Sequence, residues 1–325
     1  MPNIDQLDTS VLFLISVVLL FTATQIVILV LNHLQSRKYG TVLLGTLVTP
    51  LCTGFPNLIV GLFGQERLQG DLVLQLNIGN NLANTSLVAG LLLFAAGPLR
   101  VRPGKGKSKK AKRANLDQNL AFIFLWAGTI ALFVLAIDGA VSRTDGFGLV
   151  CIYICYQLIS IRRRKIPKKQ HLRFIGIGLI LGLLAVSAFL IERSLLVLGV
   201  ALERVGHLFP GNQLGLFLGL LMVIPESFLL LRLAFKEGSL GLSGLVGDCL
   251  VSIPLVVGLT AIFTPFKTQI FHFSFNESTI TYSCLAATML AITILSLSTK
   301  PVPRKVGILF MTLYASVWGL TTYWG

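Results

Sequence analysis

The stretch Thr-Pro-Leu-Cys-Thr-Gly-Phe-Pro-Asn-Leu, residues 49–58, lies inside a long apolar run that carries no charged side chain. It nevertheless contains two prolines, a glycine and an asparagine. A proline in a helix interior removes one hydrogen bond and clashes with the preceding turn. Because lipid cannot satisfy the carbonyl oxygens freed in this way, those oxygens must face a cavity or an ion. The stretch therefore predicts an interrupted membrane helix.

The composition of the chain supports a membrane location. Of its 325 residues, 54% are hydrophobic and only 12% are charged, and the mean hydropathy is +0.82. This balance is typical of membrane proteins, in which each spanning helix needs roughly 20 mostly apolar residues. We predict an all-α polytopic membrane protein with about ten transmembrane helices. Their expected bounds are about 10–32, 41–64, 72–97, 118–137, 146–161, 173–206, 212–235, 240–264, 278–297 and 304–324.

The formal charge of +14 is concentrated between the apolar segments. Of the 27 lysines and arginines, 22 fall in the odd-numbered connections between these helices or within one helical turn of them. The positive-inside rule places those connections in the cytoplasm and both termini outside. The basic residues are therefore read as topology signals, and we expect no nucleic-acid partner. Contact of the basic loops at 100–113 and 162–173 with anionic lipid is a second hypothesis for the same face.

A weak internal repeat runs through the chain. Pro56-Asn57-Leu58 corresponds to Pro225-Glu226-Ser227, 169 positions later. Downstream, four residues correspond at an offset of 168: Gly70, Gly79, Leu87 and Gly90 match Gly238, Gly247, Leu255 and Gly258. The second and seventh helices are an odd number of spans apart, so the repeat is inverted. Such repeats predict a binding site near the midplane, where they meet.

The repeat divides the chain into two predicted units. Residues 1–165 form an N-terminal five-helix repeat with its motif at about 45–90. Residues 166–325 form a C-terminal inverted repeat with its motif at about 214–259. Within these motifs, Pro50 and Pro56 are expected to open the second helix, and Pro225 is expected to open the seventh.

Four charged residues lie well inside the predicted helices. Glu192 and Arg193 are adjacent and close to the outer end of the sixth helix, which favours snorkelling or mutual pairing. Glu226 and Asp248 have no obvious cationic partner in the sequence. Because an isolated buried charge is costly, each of these carboxylates must bind a cation or take up a proton. Ionisable side chains at membrane depth indicate a functional site.

The two motifs resemble the alpha repeats of the cation/calcium exchanger superfamily, which includes the sodium/calcium exchangers. The family consensus is Gly-Thr-Ser-Leu-Pro-Glu, followed by Gly-Ser-Asn-Ile-x-Asn or Asp. Here Pro56-Asn57 is followed 22 residues later by Gly79-Asn80-Asn81-Leu82-Ala83-Asn84. Pro225-Glu226 is followed 21 residues later by Gly247-Asp248-Cys249-Leu250-Val251-Ser252. The resemblance covers nearly the whole chain in architecture, but only these two repeats in motif.

The resemblance also implies a set of cation ligands. In the family, two glutamates bind the cation with help from hydroxyls one turn earlier and polar side chains on the following helix. Carried over by position, the metal ligands expected here are Glu226, Asp248, Asn57, Thr53, Asn80, Asn81, Asn84 and Ser252. The chain also departs from the pattern. Asn57 replaces the first glutamate, Met222 and Val223 replace the second Thr-Ser pair, and Cys249 replaces an asparagine.

Three functional hypotheses follow. The first is a secondary antiporter that exchanges calcium for sodium or protons by alternating access. The second keeps the fold but exchanges a monovalent cation for protons, because the lost ligands would weaken divalent binding. The third is a non-transporting membrane protein with a degenerate site. We expect no enzymatic activity and no cofactor; the expected partners are the bilayer and inorganic cations, and the expected location is a bacterial plasma (inner) membrane.

Overall fold

The part of the chain that the structure describes forms ten helices. The computed structural model describes residues 7–36, 54–63, 70–96, 109–163, 174–205, 213–236, 238–268, 277–298 and 300–324. Within these ranges the helices are α1 (Thr9–Ser36), α2 (Phe55–Phe63), α3 (Gly70–Ala95), α4 (Lys109–Leu135), α5 (Arg143–Arg162), α6 (Phe174–Val205), α7 (Gln213–Lys236), α8 (Gly238–Leu250, Val251–Val257 and Gly258–Phe263), α9 (Glu277–Leu297) and α10 (Arg304–Trp324). The predicted all-α polytopic architecture of two inverted repeats is confirmed.

Nine helices in the described part of the chain are long and apolar enough to cross a membrane. The exception is α2, of which nine residues are described. Of the helix predicted over 41–64 only residues 54–63 are described: Gly54 forms a bend, and a helix runs over Phe55–Phe63. Pro56 therefore lies in the first helical turn, where a missing N–H and a fixed φ angle are tolerated. Pro50 and most of the basic loops lie outside the described residues.

The prediction that Pro225 opens the seventh helix is wrong. Helix α7 runs without interruption from Gln213 to Lys236 and contains Pro225 in its interior. Packing against neighbouring helices holds the segment helical, as is common for prolines in membrane helices. The missing proline N–H still leaves the carbonyl of Leu221 without its usual helical partner.

The two longest helices, α1 and α6, pack against each other in antiparallel fashion. The Ser16 hydroxyl donates to the Ser194 carbonyl at 3.2 Å, and the Ser194 hydroxyl donates to the Ser16 carbonyl at 2.9 Å. Further along the pair, the Ser187 hydroxyl donates to the carbonyl of Ala23 at 3.0 Å. These buried hydrogen bonds hold α1, from the first repeat, against α6, from the second repeat.

The repeats also produce two equivalent close helix crossings. A Cβ atom added to Gly307 would lie 2.5 Å from the Gly90 carbonyl oxygen, where α10 crosses α3. One added to Gly146 would lie 2.5 Å from the Gly258 carbonyl oxygen, where α5 crosses α8. Gly90 and Gly258 are related by the repeat offset. Glycine permits this backbone approach in both halves, as small residues do in membrane helix pairs.

A short antiparallel ladder was not expected from the sequence. Strand β1 (Ala140–Val141) follows α4, and strand β2 (Phe266–Lys267) follows α8. The Thr268 amide extends the ladder by donating to the Gly139 carbonyl at 2.9 Å. Gly139 adopts φ +82°, a left-handed conformation that glycine adopts without strain. The ladder joins the ends of one helix from each repeat.

We expect Gly307→Ala to destabilise the protein, because the added methyl group would press against the backbone of α3 rather than against a movable side chain. Overpacking of this kind costs about 1–3 kcal/mol. The measurement is the apparent unfolding temperature of the purified protein in detergent.

Gly319→Ala is the matched control on the same helix, since no atom lies within 4 Å of a Cβ at that position. An equal unfolding temperature for both variants would contradict the close crossing of α3 and α10.

Candidate functional site

Seven of the eight expected ligand residues are described, and all seven are buried. Asn57 lies on α2, three asparagines on α3, Glu226 on α7, and the last two residues on α8. The exposed fraction is 1% for Glu226 and 0% for Asn57, Asn80, Asn81, Asn84, Asp248 and Ser252. Glu226, Asp248 and Asn80 occur near the middle of their helices, as a midplane site requires. Thr53 lies outside the described residues.

The two carboxyl groups lie next to each other and receive amide donors from the first repeat. Asn84 Nδ2 donates to Asp248 Oδ2 at 2.7 Å, and Asn80 Nδ2 lies 3.4 Å from the same oxygen. Asn57 Nδ2 lies 3.5 Å from Glu226 Oε1, at the limit of a hydrogen bond. Two like charges this close to each other are unstable together in a low-dielectric interior, so the pair requires a bound cation or a proton.

Ser252 joins the two halves of the cluster. Its hydroxyl oxygen accepts a hydrogen bond from Asn57 Nδ2 at 3.2 Å and another from Asn80 Nδ2 at 3.2 Å. The same hydroxyl donates to the Asp248 carbonyl at 3.0 Å within α8. One hydroxyl therefore positions an amide from α2 and an amide from α3 relative to both carboxylates.

Residues that correspond in the two repeats contact each other here. Asn57 contacts Glu226 at an offset of 169, and Asn80 contacts Asp248 at an offset of 168. Asn81 Nδ2 also lies 3.4 Å from the Cys249 carbonyl, again at an offset of 168. A residue meets its own symmetry partner only close to a pseudo-two-fold axis. The cluster therefore lies on the axis that relates the repeats.

Both central helices change to a π-helical turn beside the cluster. The turn spans Asn84–Val88 in α3 and Val251–Val257 in α8, at equivalent positions of the repeats. In α8, Pro254 supplies no N–H to the regular α-helical ladder. In α3, the Thr85 hydroxyl instead competes for backbone carbonyls by donating to the Asn81 carbonyl at 2.7 Å. Such π turns are frequent at functional sites.

The helices that form the cluster contain oxygen atoms that are buried without a hydrogen-bond partner. On the four helices that carry the motifs, these atoms are Asn57 Oδ1, Asn77 Oδ1, Asn81 Oδ1, Asn84 Oδ1, Glu226 Oε2 and Asp248 Oδ1. A buried acceptor without a partner costs about 1–3 kcal/mol, and more if it is charged. Carboxylate and amide oxygens are the donor set that hard cations such as Ca²⁺ prefer. The residues present therefore fit a bound cation.

No positive side chain neutralises these carboxylates in the described part of the chain. The predicted pairing within α6 is confirmed, since Arg193 Nε lies 3.3 Å from Glu192 Oε2. Arg193 also stacks over the Phe189 ring at 4.9 Å, away from the cluster. The described residues contain no group of three or more His, Cys, Asp and Glu side chains that could hold a metal. The cluster is thus built from two carboxylates and neutral amides.

The sequence model of the sodium/calcium exchanger protein family matches the chain twice, over residues 9–162 and 172–323. The chain belongs to the sodium/calcium exchanger family. Each match covers five of the helices described above. Membership makes the chain a multi-pass membrane cation antiporter.

Similar proteins support this assignment. The chain is 23% identical over 314 residues to the inner membrane protein YrbG of Escherichia coli (strain K12), with 89% of each protein covered. It shares the fold of the sodium-calcium exchanger NCX_Mj soaked with Na⁺ and Sr²⁺, with a TM-score of 0.65, 17% identity, and 96% and 97% of the two chains covered. The same exchanger soaked without Na⁺ and Ca²⁺ gives a TM-score of 0.62, with 96% and 98% covered.

This member of the sodium/calcium exchanger family departs from the motif in ways that the structure accommodates. Met222 and Val223 occupy the positions of a Thr-Ser pair and are buried in hydrophobic clusters. Cys249 is fully buried, and its carbonyl contacts Asn81. These positions supply no hydroxyl or amide side chain, so the second repeat contributes its polar groups mainly through Glu226, Asp248 and Ser252.

Two polar residues of α3 were not predicted. Asn77 is fully buried on α3, and its Nδ2 donates to the Val73 carbonyl at 2.8 Å. Asp71 lies in the first turn of α3 and accepts a hydrogen bond from Gln75 Nε2 at 2.7 Å. The spacing of the α3 asparagines could have revealed Asn77, because positions 77, 80, 81 and 84 share one helix face.

We expect Ser252→Ala to destabilise the cluster, because Asn57 and Asn80 would lose a common hydrogen-bond acceptor and all three residues are fully buried. The expected loss is about 1–2 kcal/mol of unfolding free energy. It would be measured as a lower apparent unfolding temperature in detergent without added cations.

The matched control is Ser227→Ala, beside Glu226, whose hydroxyl donates only to the Ile224 carbonyl of its own helix at 2.7 Å. If Ser252→Ala were no less stable than Ser227→Ala, the hydroxyl would not organise the cluster.

Proposed function

We propose that the chain exchanges calcium for sodium ions or protons by alternating access, with the carboxylate cluster as the cation site. The observation that carries this proposal is the pair of buried carboxylates, Glu226 and Asp248, which have unpartnered oxygens and no cationic partner among the described residues. Such a pair is stable in a membrane core only with a cation or a proton bound. The proposed activity is transport and involves no enzymatic chemistry.

Each residue of the cluster has a proposed role. Glu226 is the main ligand and the group that exchanges a cation for a proton, and Asp248 is the second carboxylate. The neutral oxygens would come from Asn57, Thr53, Asn80, Asn81, Asn84 and Ser252. Their number suits calcium, which takes six to eight oxygen ligands. Amide groups that donate to the carboxylates now could turn their oxygens toward the ion when it binds.

The charge of the cluster supports several exchange ratios. Two carboxylates balance one calcium ion, two sodium ions or two protons. Both charged side chains of the cluster, Glu226 and Asp248, lie on α7 and α8, and the first repeat contributes only neutral amide groups. Because each of these occupants balances the two carboxylates, we propose that calcium is exchanged without large net movement of charge.

A second candidate is exchange of a monovalent cation for protons on the same fold. It is favoured by Asn57 in place of a glutamate and by the apolar packing of Met222 and Val223. Fewer charged and hydroxyl ligands weaken divalent binding more than monovalent binding, since the divalent ion loses more hydration energy. Competition by sodium or potassium for calcium uptake separates the two candidates.

The proposed location is a bacterial inner membrane with both termini outside. It rests on the similarity to the inner membrane protein YrbG and on the distribution of basic residues between the helices.

We expect proteoliposomes to accumulate radioactive calcium under an outward sodium gradient, an outward proton gradient, or both, and we expect Glu226→Gln to abolish this uptake. Removal of one charge from a buried site costs about 3 kcal/mol, which corresponds to roughly a hundredfold in affinity. The driving gradient identifies the coupling ion. A clamped membrane potential is expected to leave the rate nearly unchanged.

Glu203→Gln is the matched control, because Glu203 is exposed near the end of α6. Folded native protein that takes up no calcium under either gradient would overturn the calcium assignment. If Glu226→Gln and Glu203→Gln transported equally well, the proposed site would be wrong.

A further inference from the structure

Asn77 is a buried amide that belongs to no known part of the cation site. It lies in the second turn of α3 with an exposed fraction of 0%. Its Nδ2 is satisfied by the Val73 carbonyl at 2.8 Å, whereas its Oδ1 is buried without a partner. In an asparagine with a purely structural role, both the side-chain oxygen and the side-chain nitrogen would be expected to form hydrogen bonds. The unpartnered oxygen therefore needs an explanation.

The helix geometry directs Asn77 to the same side as the cation ligands. Residues three and four positions apart on a helix are neighbours, with Cβ atoms about 5–6 Å apart. Asn77 is three positions from Asn80 and four from Asn81. With 100° per residue, positions 77, 80, 81 and 84 fall within an arc of about 100°. The opposite face of α3 packs against α7, where Gly79 closely approaches the backbone of Gly215.

The two repeats differ at this position. At the repeat offset of 168, Asn77 corresponds to Leu245, which is fully buried in the main hydrophobic cluster. The fold thus accepts a leucine at the equivalent position of α8, and helix packing alone does not require an amide. An unpartnered buried oxygen normally reduces stability. The unpartnered oxygen of Asn77 lies toward the N-terminal end of α3, at Gly70. Helix α8 has no equivalent oxygen, because Leu245 occupies the corresponding position.

We propose that Asn77 Oδ1 is a further ligand of the transported cation, on the side of the site that faces the Gly70 end of α3. This proposal rests on the proposed transport of a hard cation such as calcium. The six unpartnered oxygens on α2, α3, α7 and α8, with Asn77 among them, equal the minimum number of oxygens that calcium takes. The Asn77 oxygen would take the place of a hydroxyl ligand that the family motif has at the positions of Met222 and Val223.

The test is calcium-dependent thermal stabilisation of the purified full chain in sodium-free detergent solution. For Asn77→Leu we expect the apparent Kd for calcium to rise about tenfold, as for the loss of one hydrogen-bond-like contact to a charged group. Without calcium, the unfolding temperature of this variant is expected to equal or exceed that of the native chain, because a buried unpartnered oxygen has been removed. A misfolded or generally destabilised variant would instead unfold at a lower temperature than the native chain.

Two variants make the result specific. Asn77→Asp keeps an oxygen at the position and is expected to retain calcium affinity. Thr129→Val removes another buried polar group, whose hydroxyl donates to the Leu125 carbonyl of α4, and should leave the apparent Kd unchanged.

The outcomes separate this inference from the proposed function. Calcium stabilisation of Asn77→Leu with the native apparent Kd would overturn the role of Asn77 and leave the calcium site intact. Equal weakening of Asn77→Leu and Asn77→Asp would also overturn it, because the position would then matter for shape and not for its oxygen. A native chain that calcium does not stabilise would overturn the calcium proposal and the role of Asn77 with it.

Discussion

Two carboxylates buried in a membrane core without a cationic partner constrain the rest of this molecule. A charged carboxylate in a low-dielectric interior is unstable unless it is paired, so Glu226 and Asp248 require either a proton or a mobile cation. The amide groups around them stabilise their negative charge by donating hydrogen bonds. The same groups leave unpartnered oxygens that a cation would satisfy. The site is therefore suited to exchange, since a cation and a proton replace each other reversibly at the same carboxylate oxygens.

The inverted repeat supplies the symmetry that alternating access needs. Corresponding residues meet at the cluster, so the pseudo-two-fold axis passes through the place where the charge is buried. Equivalent glycine crossings hold α10 against α3 and α5 against α8. The exchange of hydroxyl bonds between Ser16 and Ser194 holds the long helices α1 and α6 together. Rocking of one group of helices around a fixed site is the motion such repeats allow.

Much of the fold could be predicted from the sequence because hydrocarbon thickness imposes helix length. Hydropathy located the helices, and the depth of Glu226 and Asp248 singled out the two carboxylates. The contacts between helices were harder to predict. Pro225 remains within a continuous helix, because neighbouring helices decide whether a proline breaks a membrane segment. The two-residue ladder depends on tertiary contacts that no local pattern encodes, and a proline or a threonine alone does not specify where a helix takes a π turn. Asn77 was not predicted, because its repeat partner is Leu245 and the predicted ligands lie at positions that match the family motif.

The central claim is that cations and protons compete for the carboxylate pair. It is tested most directly by calorimetric titration of calcium into the purified protein at about pH 6 in sodium-free solution, repeated in buffers of different ionisation enthalpy, since binding to protonated carboxyls must release protons. The account predicts one calcium per chain with release of protons, and loss of both in the double variant Glu226→Gln, Asp248→Asn. Calcium binding without proton release, or equal binding by the double variant, would contradict it.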